Sequence, residues 1–233
     1  IMVVQSLLNS LTDGYGDKLF GQTMPTYYKG ARNKALLGPT RLKAPRSGTS
    51  MRHKSTTFHI KVPSVLITPL TGAEIKKFFL GIKKYRNTAM MRLMILCGLR
   101  SCEVLSLTVN DIDLIDDQIR VRGKGGKERI LPIPVSVRQA LQRYLDYERP
   151  EVHHNRCFVV LQGAHRGLPM TPAGLRTLFR YRRKILNIDA ANPHKFRHTF
   201  CTNMIRQGVS LAVVQELMGH SDIAVTMKYV HLS

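Results

Sequence analysis

A chain of 233 residues is long enough for one full domain and a smaller additional segment. The hydrophobic share of 43% is that of a globular protein, whereas 36 Lys and Arg against 15 Asp and Glu give a net charge of +21. Such a charge favours a phosphate-rich partner, with a basic membrane-surface or ribosomal protein as the alternative. No run approaches the roughly 18 apolar residues of a membrane span.

The cysteines and the start of the chain bear on the compartment. Four cysteines show no C-x-x-C spacing, which predicts reduced thiols and a cytoplasmic protein. The first residues lack a basic region and a cleavage site, so no signal peptide is predicted. The first residue is Ile1 rather than Met, which indicates a piece of a longer protein.

The first quarter of the chain differs from the rest. Residues 2–11 have apolar residues at helical spacing and predict a short helix. From 23 to about 62 the chain is basic, rich in Gly, Pro, Ser and Thr, and without clear periodicity. It is either an extended linker facing a nucleic acid or a solvated loop, and both interpretations stay open.

A second segment, 69–233, has the periodicity of an ordinary domain. The first helix is capped by Thr71, with Glu74 completing a capping box. Between residues 118 and 133 two alternating strands flank a Gly-rich turn with Lys124 near its tip, which predicts a β-hairpin. The fold class is therefore α+β, mainly α, with a small antiparallel sheet. The predicted helices are Thr71 to about Tyr85, Thr88–Cys97, Ser101 to Leu107 or Thr108, Val135–Tyr147 and Thr171–Leu186; the strands are Gln118–Arg122, Arg129–Ile133 and Cys157–Leu161.

The last forty residues predict three helices joined by tight corners. Asn192 is a good N-cap before Pro193, and Gly208 is placed to end that helix. Ser210 caps a second helix, with Val213, Val214 and Leu217 facing inward and Gly219 ending it. A third helix begins at Ser221 or Asp222 and carries Tyr229. Together these corners direct one arginine, two or three histidines and a tyrosine toward one point.

That set of side chains suits attack of a tyrosine on a phosphodiester. A phenol, with a pKa near about 10, is a weak nucleophile until its proton is removed. The transition state spreads negative charge over phosphate oxygens, which guanidinium groups bind through two parallel hydrogen bonds. Imidazoles supply further donors or accept the proton.

The stretch resembles the catalytic domain of the tyrosine recombinases, the phage-integrase family. The resemblance runs from about Leu70 to the chain end, and five motifs occur in the family's order. They are Gly98-Leu99-Arg100-Ser101-Cys102-Glu103, Gly123-Lys124-Gly125-Gly126-Lys127-Glu128-Arg129, Pro193-His194-Lys195-Phe196-Arg197-His198-Thr199, Leu217-Met218-Gly219-His220, and Tyr229.

The resemblance implies a role for each matched residue. Tyr229 attacks the scissile phosphate and forms a 3′-phosphotyrosine, while His194 accepts its proton. Lys124 is the general acid for the leaving 5′-oxygen. The transition-state charge is stabilised by Arg100, Arg197 and His220. Three further basic residues are predicted to contact DNA: Lys127, Arg129 and Lys195.

The resemblance also implies an organisation and partners. Residues 1–68 are expected to be a partial core-binding segment and basic linker, and 69–233 the catalytic domain. The partner is double-stranded DNA, and no cofactor or metal is required. The full-length protein is expected to act as a tetramer on DNA, and this piece to be a monomer.

Alternatives remain at the level of single motifs and of function. Arg100 alone is equally well a structural partner of Glu103, and Lys124 alone a solvated lysine. His194 and His198 are four apart, but they lack the glutamate of a zincin motif. A type IB topoisomerase and a non-catalytic DNA-binding protein of the same fold are the alternative functions.

Overall fold

The computed structural model of the chain describes residues 68–189 and 191–219. The predicted helix at 2–11, the basic segment at 23–62, His220 and the helix with Tyr229 lie outside the described residues. In the described part, no helix is both long enough and apolar enough to cross a membrane.

The described residues form a mainly helical domain with one small sheet, as the sequence predicts. Three antiparallel strands lie in the order β1-β2-β3. Two 3₁₀ turns, at Val109–Asp111 and Lys124–Gly126, flank the first two strands. The helices are Gly72–Phe79 (α1), Tyr85–Leu96 (α2), Ser101–Ser106 (α3), Val135–Tyr147 (α4), Pro172–Leu186 (α5), Pro193–Arg206 (α6) and Leu211–Met218 (α7); the strands are Ile112–Asp113 (β1), Gln118–Arg122 (β2) and Glu128–Pro132 (β3).

The core is built around α2, which packs against α4 and α6. Seven consecutive or near-consecutive residues of α2 are buried, so this helix is apolar all round, as expected of a central helix. Beside it, Phe196 of α6 meets Phe78 and Phe179 at centroid distances of 5.0 and 5.2 Å, in edge-to-face geometry. The aromatic cluster fixes α1, α5 and α6 together.

The β-hairpin forms as predicted, but the third strand does not. Val121 pairs with Arg129, and the Gly123 amide donates to the Lys127 carbonyl at 2.8 Å, which closes the turn. The prediction of a strand at Cys157–Leu161 is wrong: that segment makes only an isolated bridge through Val159 among the described residues. The third strand is β1, which pairs with β2.

The capping box at Thr71 is confirmed, but the helix is shorter than predicted. The Thr71 amide donates to the Glu74 carboxylate at 2.8 Å, and the Glu74 amide to the Thr71 hydroxyl at 3.2 Å. The helix ends at Phe79, not near Tyr85, because Gly81 follows its C-cap in the left-handed region at φ +73. Arg182 of α5 donates to the carbonyls of Phe78 and Leu80 at this end. The chain then turns, and α2 begins at Tyr85, three residues before the predicted Thr88.

The corners around α6 and α7 are confirmed. The Asn192 side chain accepts from the Lys195 amide at 2.9 Å, and the Ser210 hydroxyl accepts from the Val213 amide. Gly219 ends α7 in the left-handed region, at φ +60. The inward face of α7 is carried by Val214 and Met218, so the prediction that Val213 faces inward is wrong.

Candidate active site

The centre of the candidate site is a buried carboxylate, Glu103, on the short helix α3. Its side chain is only 2% exposed. Three arginines from three separate segments surround it: Arg100 precedes α3, Arg129 comes from β3, and Arg197 comes from α6. We call Glu103 and these three arginines the Glu103 cluster.

Arg100 is the most exposed arginine of the Glu103 cluster, at 35%. Its backbone amide donates to one Glu103 oxygen at 2.8 Å, and its Nη1 to the other at 2.9 Å. Longer contacts, 3.3 and 3.4 Å, join its guanidinium to the carbonyls of Met218 and Gly219. The side chain is therefore oriented by the protein while part of it still faces solvent.

Arg197 lies deeper, with its side chain 8% exposed. Its guanidinium donates to the Gly98 carbonyl and, at 2.6 Å, to the Met218 carbonyl. Since Arg100 also reaches Met218, the two arginines share one acceptor at the end of α7. The two residues that the resemblance assigns to the transition-state charge therefore lie together.

Gly98 makes the close approach of these segments feasible. It has φ +64, a conformation that favours glycine, and a Cβ there would lie 2.5 Å from the Phe200 ring. The same turn presents its carbonyl to Arg197. A side chain at this position would therefore push α6 away from the segment that carries Arg100.

Arg129 lies inside the Glu103 cluster, where the sequence did not place it. Its Nη1 and Nη2 donate to the two Glu103 oxygens, each at 3.1 Å, and its Nε donates to the Leu217 carbonyl at 3.1 Å. The side chain is 13% exposed. These hydrogen bonds within the chain do not favour the predicted role in DNA contact. The sequence does carry a sign of the inward position: the alternation of the β-strand puts Arg129 on the same side as buried Leu131.

Charge in the Glu103 cluster is unbalanced. Burial alone would raise the pKa of Glu103, but hydrogen bonds from Arg129 and Arg100 and the charges of Arg129 and Arg197 lower it overall. The carboxylate is therefore ionised at neutral pH, and three guanidinium groups against one carboxylate leave an excess of two positive charges. Such an excess, held by fixed hydrogen bonds, is suited to binding an anion.

His194 lies beside the Glu103 cluster on a groove of about 860 Å³. Asn192 and Pro193, at the start of α6, line the groove with it, and so does Ser101 at the start of α3. One wall is α5, from which Arg176, Arg180 and Arg183 line the groove. These arginines are spaced i, i+4 and i+7 and so share one helix face. The spacing is visible in the sequence, but it belongs to none of the five motifs.

His198 has a different environment from His194. It is half-buried, and desolvation, followed by the charges of His194, Lys195 and Arg197, lowers its pKa to about 4. The imidazole is therefore neutral at physiological pH. No group of three or more His, Cys, Asp or Glu side chains within 68–189 and 191–219 is arranged to hold a metal ion.

The three lysines that the sequence analysis assigns to the site, Lys124, Lys127 and Lys195, do not lie together. The backbone of Lys124 begins the turn between β2 and β3, and Lys127 ends it as an exposed residue. Lys195, in the first turn of α6, places its Nζ 3.2 Å from the Thr68 hydroxyl. The Leu70 amide donates to Thr199 at 2.9 Å, so the start of the domain is tied to the helix that carries His194 and Arg197.

Comparison with known proteins shows to which family this fold belongs. The model of the phage integrase family matches residues 69–233. The chain therefore belongs to the phage integrase family.

Individual relatives agree with that assignment. The tyrosine recombinase XerC of Herpetosiphon aurantiacus is 36% identical over 173 residues, which cover 74% of this chain and 54% of that protein. The crystal structure of XerA recombinase is 27% identical, with a TM-score of 0.65, over 73% of this chain and 62% of that one. The Tn1549 transposon integrase, solved in complex with a circular intermediate DNA, is 28% identical, with a TM-score of 0.58, over 72% of this chain and 62% of that one. The chain thus spans between about half and three fifths of the length of these relatives.

Proposed function

We propose that this chain is the catalytic part of a site-specific recombinase that cleaves and rejoins DNA strands through a 3′-phosphotyrosine. The observation that carries the proposal is the Glu103 cluster, which combines a buried, oriented Arg197 with a partly exposed Arg100 at one shared carbonyl. Two guanidinium groups held in this way fit the non-bridging oxygens of one phosphodiester. The family membership and the order of the five motifs support the same function.

The reaction proceeds in one displacement at phosphorus. The Tyr229 oxygen forms a bond to phosphorus as its phenolic proton passes to His194, and the bond between phosphorus and the 5′-oxygen breaks. The Lys124 ammonium gives its proton to that leaving oxygen. Arg100, Arg197 and His220 stabilise the negative charge that builds up on the phosphate oxygens. Rejoining is the reverse reaction, so the bond energy is kept and no nucleotide cofactor is needed.

The position of His194 supports its role as proton acceptor. It is exposed at the edge of the groove and lies one turn before Arg197 on α6, so both side chains face the same region. His198 is the less suitable base, because burial keeps its pKa at about 4. A group with so low a pKa would hold the phenolic proton poorly at neutral pH.

Double-stranded DNA is the proposed substrate, and the groove along α5 its proposed path beside the cluster. Arg176 and Arg180 are exposed there, and the chain as a whole carries a charge of +21. Cationic side chains along the path release counterions from the phosphate backbone when DNA binds. Lys127 and Lys195 are proposed as further phosphate contacts. The proposal includes the division into a segment at 1–68 and a catalytic domain at 69–233, and assembly as a tetramer on DNA by the full-length protein.

The proposal is tested with Tyr229→Phe on a DNA duplex nicked near the cleavage site, which traps the covalent product. The Phe variant should bind DNA as tightly as the parent and give no covalent adduct. Tyr147→Phe is the matched control, because Tyr147 is exposed on α4 and away from the cluster. It should give as much adduct as the parent.

The same assay in EDTA tests the proposed charge neutralisation by side chains. Cleavage should be unchanged, since arginines and Lys124 take the place of a divalent metal ion. An adduct from the Phe variant, or cleavage that requires a divalent ion, would contradict the proposed mechanism.

A further inference from the structure

Arg129 connects segments of the site that are far apart in the sequence. Its guanidinium binds both oxygens of Glu103 on α3 and the carbonyl of Leu217 near the end of α7, all at 3.1 Å. Its own backbone belongs to β3, one strand of the hairpin that carries Lys124. One side chain therefore joins the hairpin, the Arg100 segment and the end of α7.

The glycines on either side show how closely the backbone approaches this guanidinium. A Cβ at Gly219 would lie 2.8 Å from Arg129 Nη1, and a Cβ at Gly123 would lie 3.7 Å from the same atom. Gly123 directly precedes Lys124, and Gly219 directly precedes His220. The guanidinium thus lies beside the backbone just before each of these two predicted catalytic residues.

We propose that Arg129 is a positioning residue that holds the hairpin turn of Lys124 in register with the Glu103 cluster. This inference rests on the proposed function. The turn contains two glycines in the left-handed region, Gly125 at φ +77 and Gly126 at φ +74, and a Cβ at either would meet nothing within 4 Å. The Gly123–Lys127 hydrogen bond closes this turn, and Arg129 joins its base to α3 and α7.

The chemistry explains why the anchor matters. A general acid must lie within hydrogen-bond reach of the oxygen it protonates, and a misplacement of about 1 Å costs about 100-fold in rate. Charge alone at position 129 is not sufficient, because only a planar guanidinium binds two carboxylate oxygens and a carbonyl at once. Lysine at this position keeps the charge and loses that geometry.

The test compares two DNA substrates that differ in the leaving atom. One has the ordinary 5′-oxygen, and the other has sulfur in that bridging position, which leaves as a thiolate and needs no proton. Arg129→Lys should cleave the ordinary substrate about 10- to 100-fold more slowly than the parent. On the sulfur substrate it should come within about threefold of the parent, because the acid step is bypassed.

The matched control is Arg122→Lys, on the neighbouring strand of the same hairpin. Arg122 pairs with Asp111 and Glu128 at 3.0 and 2.9 Å, outside the Glu103 cluster. It should cleave both substrates at the parent rate. If Arg129→Lys melts below the assay temperature, Arg129→Gln, which keeps a donor toward Glu103, is measured in its place.

Each result decides the inference. A variant equally slow on both substrates would mean that Arg129 acts on phosphate charge or on folding, and parent-like rates on the ordinary substrate would remove any positioning role. A loss of DNA affinity with unchanged cleavage of bound DNA would mean that Arg129 contacts DNA, as the sequence analysis predicts, and has no positioning role. Failure of the parent itself to form an adduct on either substrate would overturn the proposed function instead.

Discussion

Two groups of arginines lie close together in this domain and differ in how the protein holds them. In the Glu103 cluster, Arg129 and Arg197 are almost fully buried and donate to a carboxylate and to carbonyls of the chain. On α5, Arg176 and Arg180 are exposed, and Arg180 has one 3.3 Å contact to Thr177 of its own helix. The first group is fixed before any substrate arrives, whereas the second is largely solvated.

The difference indicates two separate uses of the same side chain. Fixed guanidinium groups stabilise charge in a transition state without reorganising, so they should govern the rate of chemistry. Solvated guanidinium groups interact with phosphates mainly through release of counterions, so they should govern affinity and its dependence on salt. Mutations in the two groups should therefore have separable effects.

The largest effect is expected from Glu103→Ala. It leaves the buried Arg129 and Arg197 without their carboxylate, and breaking a buried ion pair in this way costs about 3–5 kcal/mol of the free energy of unfolding. Urea unfolding measures that loss, and strand cleavage should fall below detection. Glu128→Ala is the control, because Glu128 is half exposed and its pair with Arg122 should contribute less than about 1 kcal/mol. An equal loss of the free energy of unfolding in the two variants would show that the Glu103 cluster stabilises the fold no more than a surface ion pair does.

A smaller effect is expected from the double variant Arg176→Ala, Arg180→Ala. Stability and the cleavage rate of fully bound DNA should stay at the parent level, while affinity falls about tenfold at physiological salt. The slope of log K against log salt should become shallower by about 1.8, or about 0.9 for each phosphate that the variant no longer neutralises. Fluorescence anisotropy over a salt series measures both quantities.

The control for this pair is Arg143→Ala, an exposed arginine of α4 that lies over the Tyr85 ring. It removes a charge of the same kind from another surface and should leave the slope unchanged. An equal change of slope in the control would mean that the α5 face is not the path of the DNA.

The smallest effect concerns pH and His198. Its pKa is about 4 in the folded chain and about 6.5 when unfolded, so the unfolded state binds more protons between these values. Stability from this group is therefore complete above about pH 6.5 and is lost as the pH falls toward 4. Because the ring is only half-buried, we expect about 1 kcal/mol less stability at pH 5 than at pH 7 from this source.

His198→Gln should remove that part of the pH dependence. Thermal unfolding at pH 5 and pH 7 measures it, with exposed His153→Gln as the control for a histidine outside the core. A pH dependence unchanged by His198→Gln would show that other groups cause it.

The sequence correctly predicted those helix ends that are capped by residues close to them in the chain. The caps at Thr71, Asn192 and Ser210 and the exit at Gly219 all form within one turn of the residue concerned. The errors have more than one kind of cause. The early end of α1 has a local sign, Gly81 in the left-handed region at φ +73, and a long-range contribution from Arg182, which binds the carbonyls of Phe78 and Leu80.

The absence of the predicted strand at Cys157–Leu161 and the outward position of Val213 in α7 both have long-range explanations. The Val159 amide, which a strand would offer to a neighbour, instead donates to the hydroxyl of buried Tyr144 at 3.1 Å. In α7, Val213 and Val214 are equally apolar, and only packing against the core decides which of them turns inward. Sequence periodicity limits which residues can face the core, but tertiary packing decides between the remaining candidates.

For the site, the motifs assigned Arg100 and Arg197 to one phosphate. The structure adds that both guanidinium groups share one acceptor, the Met218 carbonyl. The family resemblance led to the prediction that Arg129 contacts DNA. Its insertion into the Glu103 cluster depends on where α3 and α7 pack, which a linear motif does not encode.

The hydrogen bonds of Arg182 have a consequence for how α5 would meet DNA in the proposed function. Its guanidinium donates to the Phe78 and Leu80 carbonyls and lies 5.8 Å from the Phe78 ring, so it fixes the rotation of α5 about its own axis. The helix cannot roll, and the direction in which Arg176 and Arg180 point is set before contact. A surface aligned in advance loses little orientational entropy when it docks. Arg182 itself is buried, yet it sets the direction in which α5 presents Arg176 and Arg180.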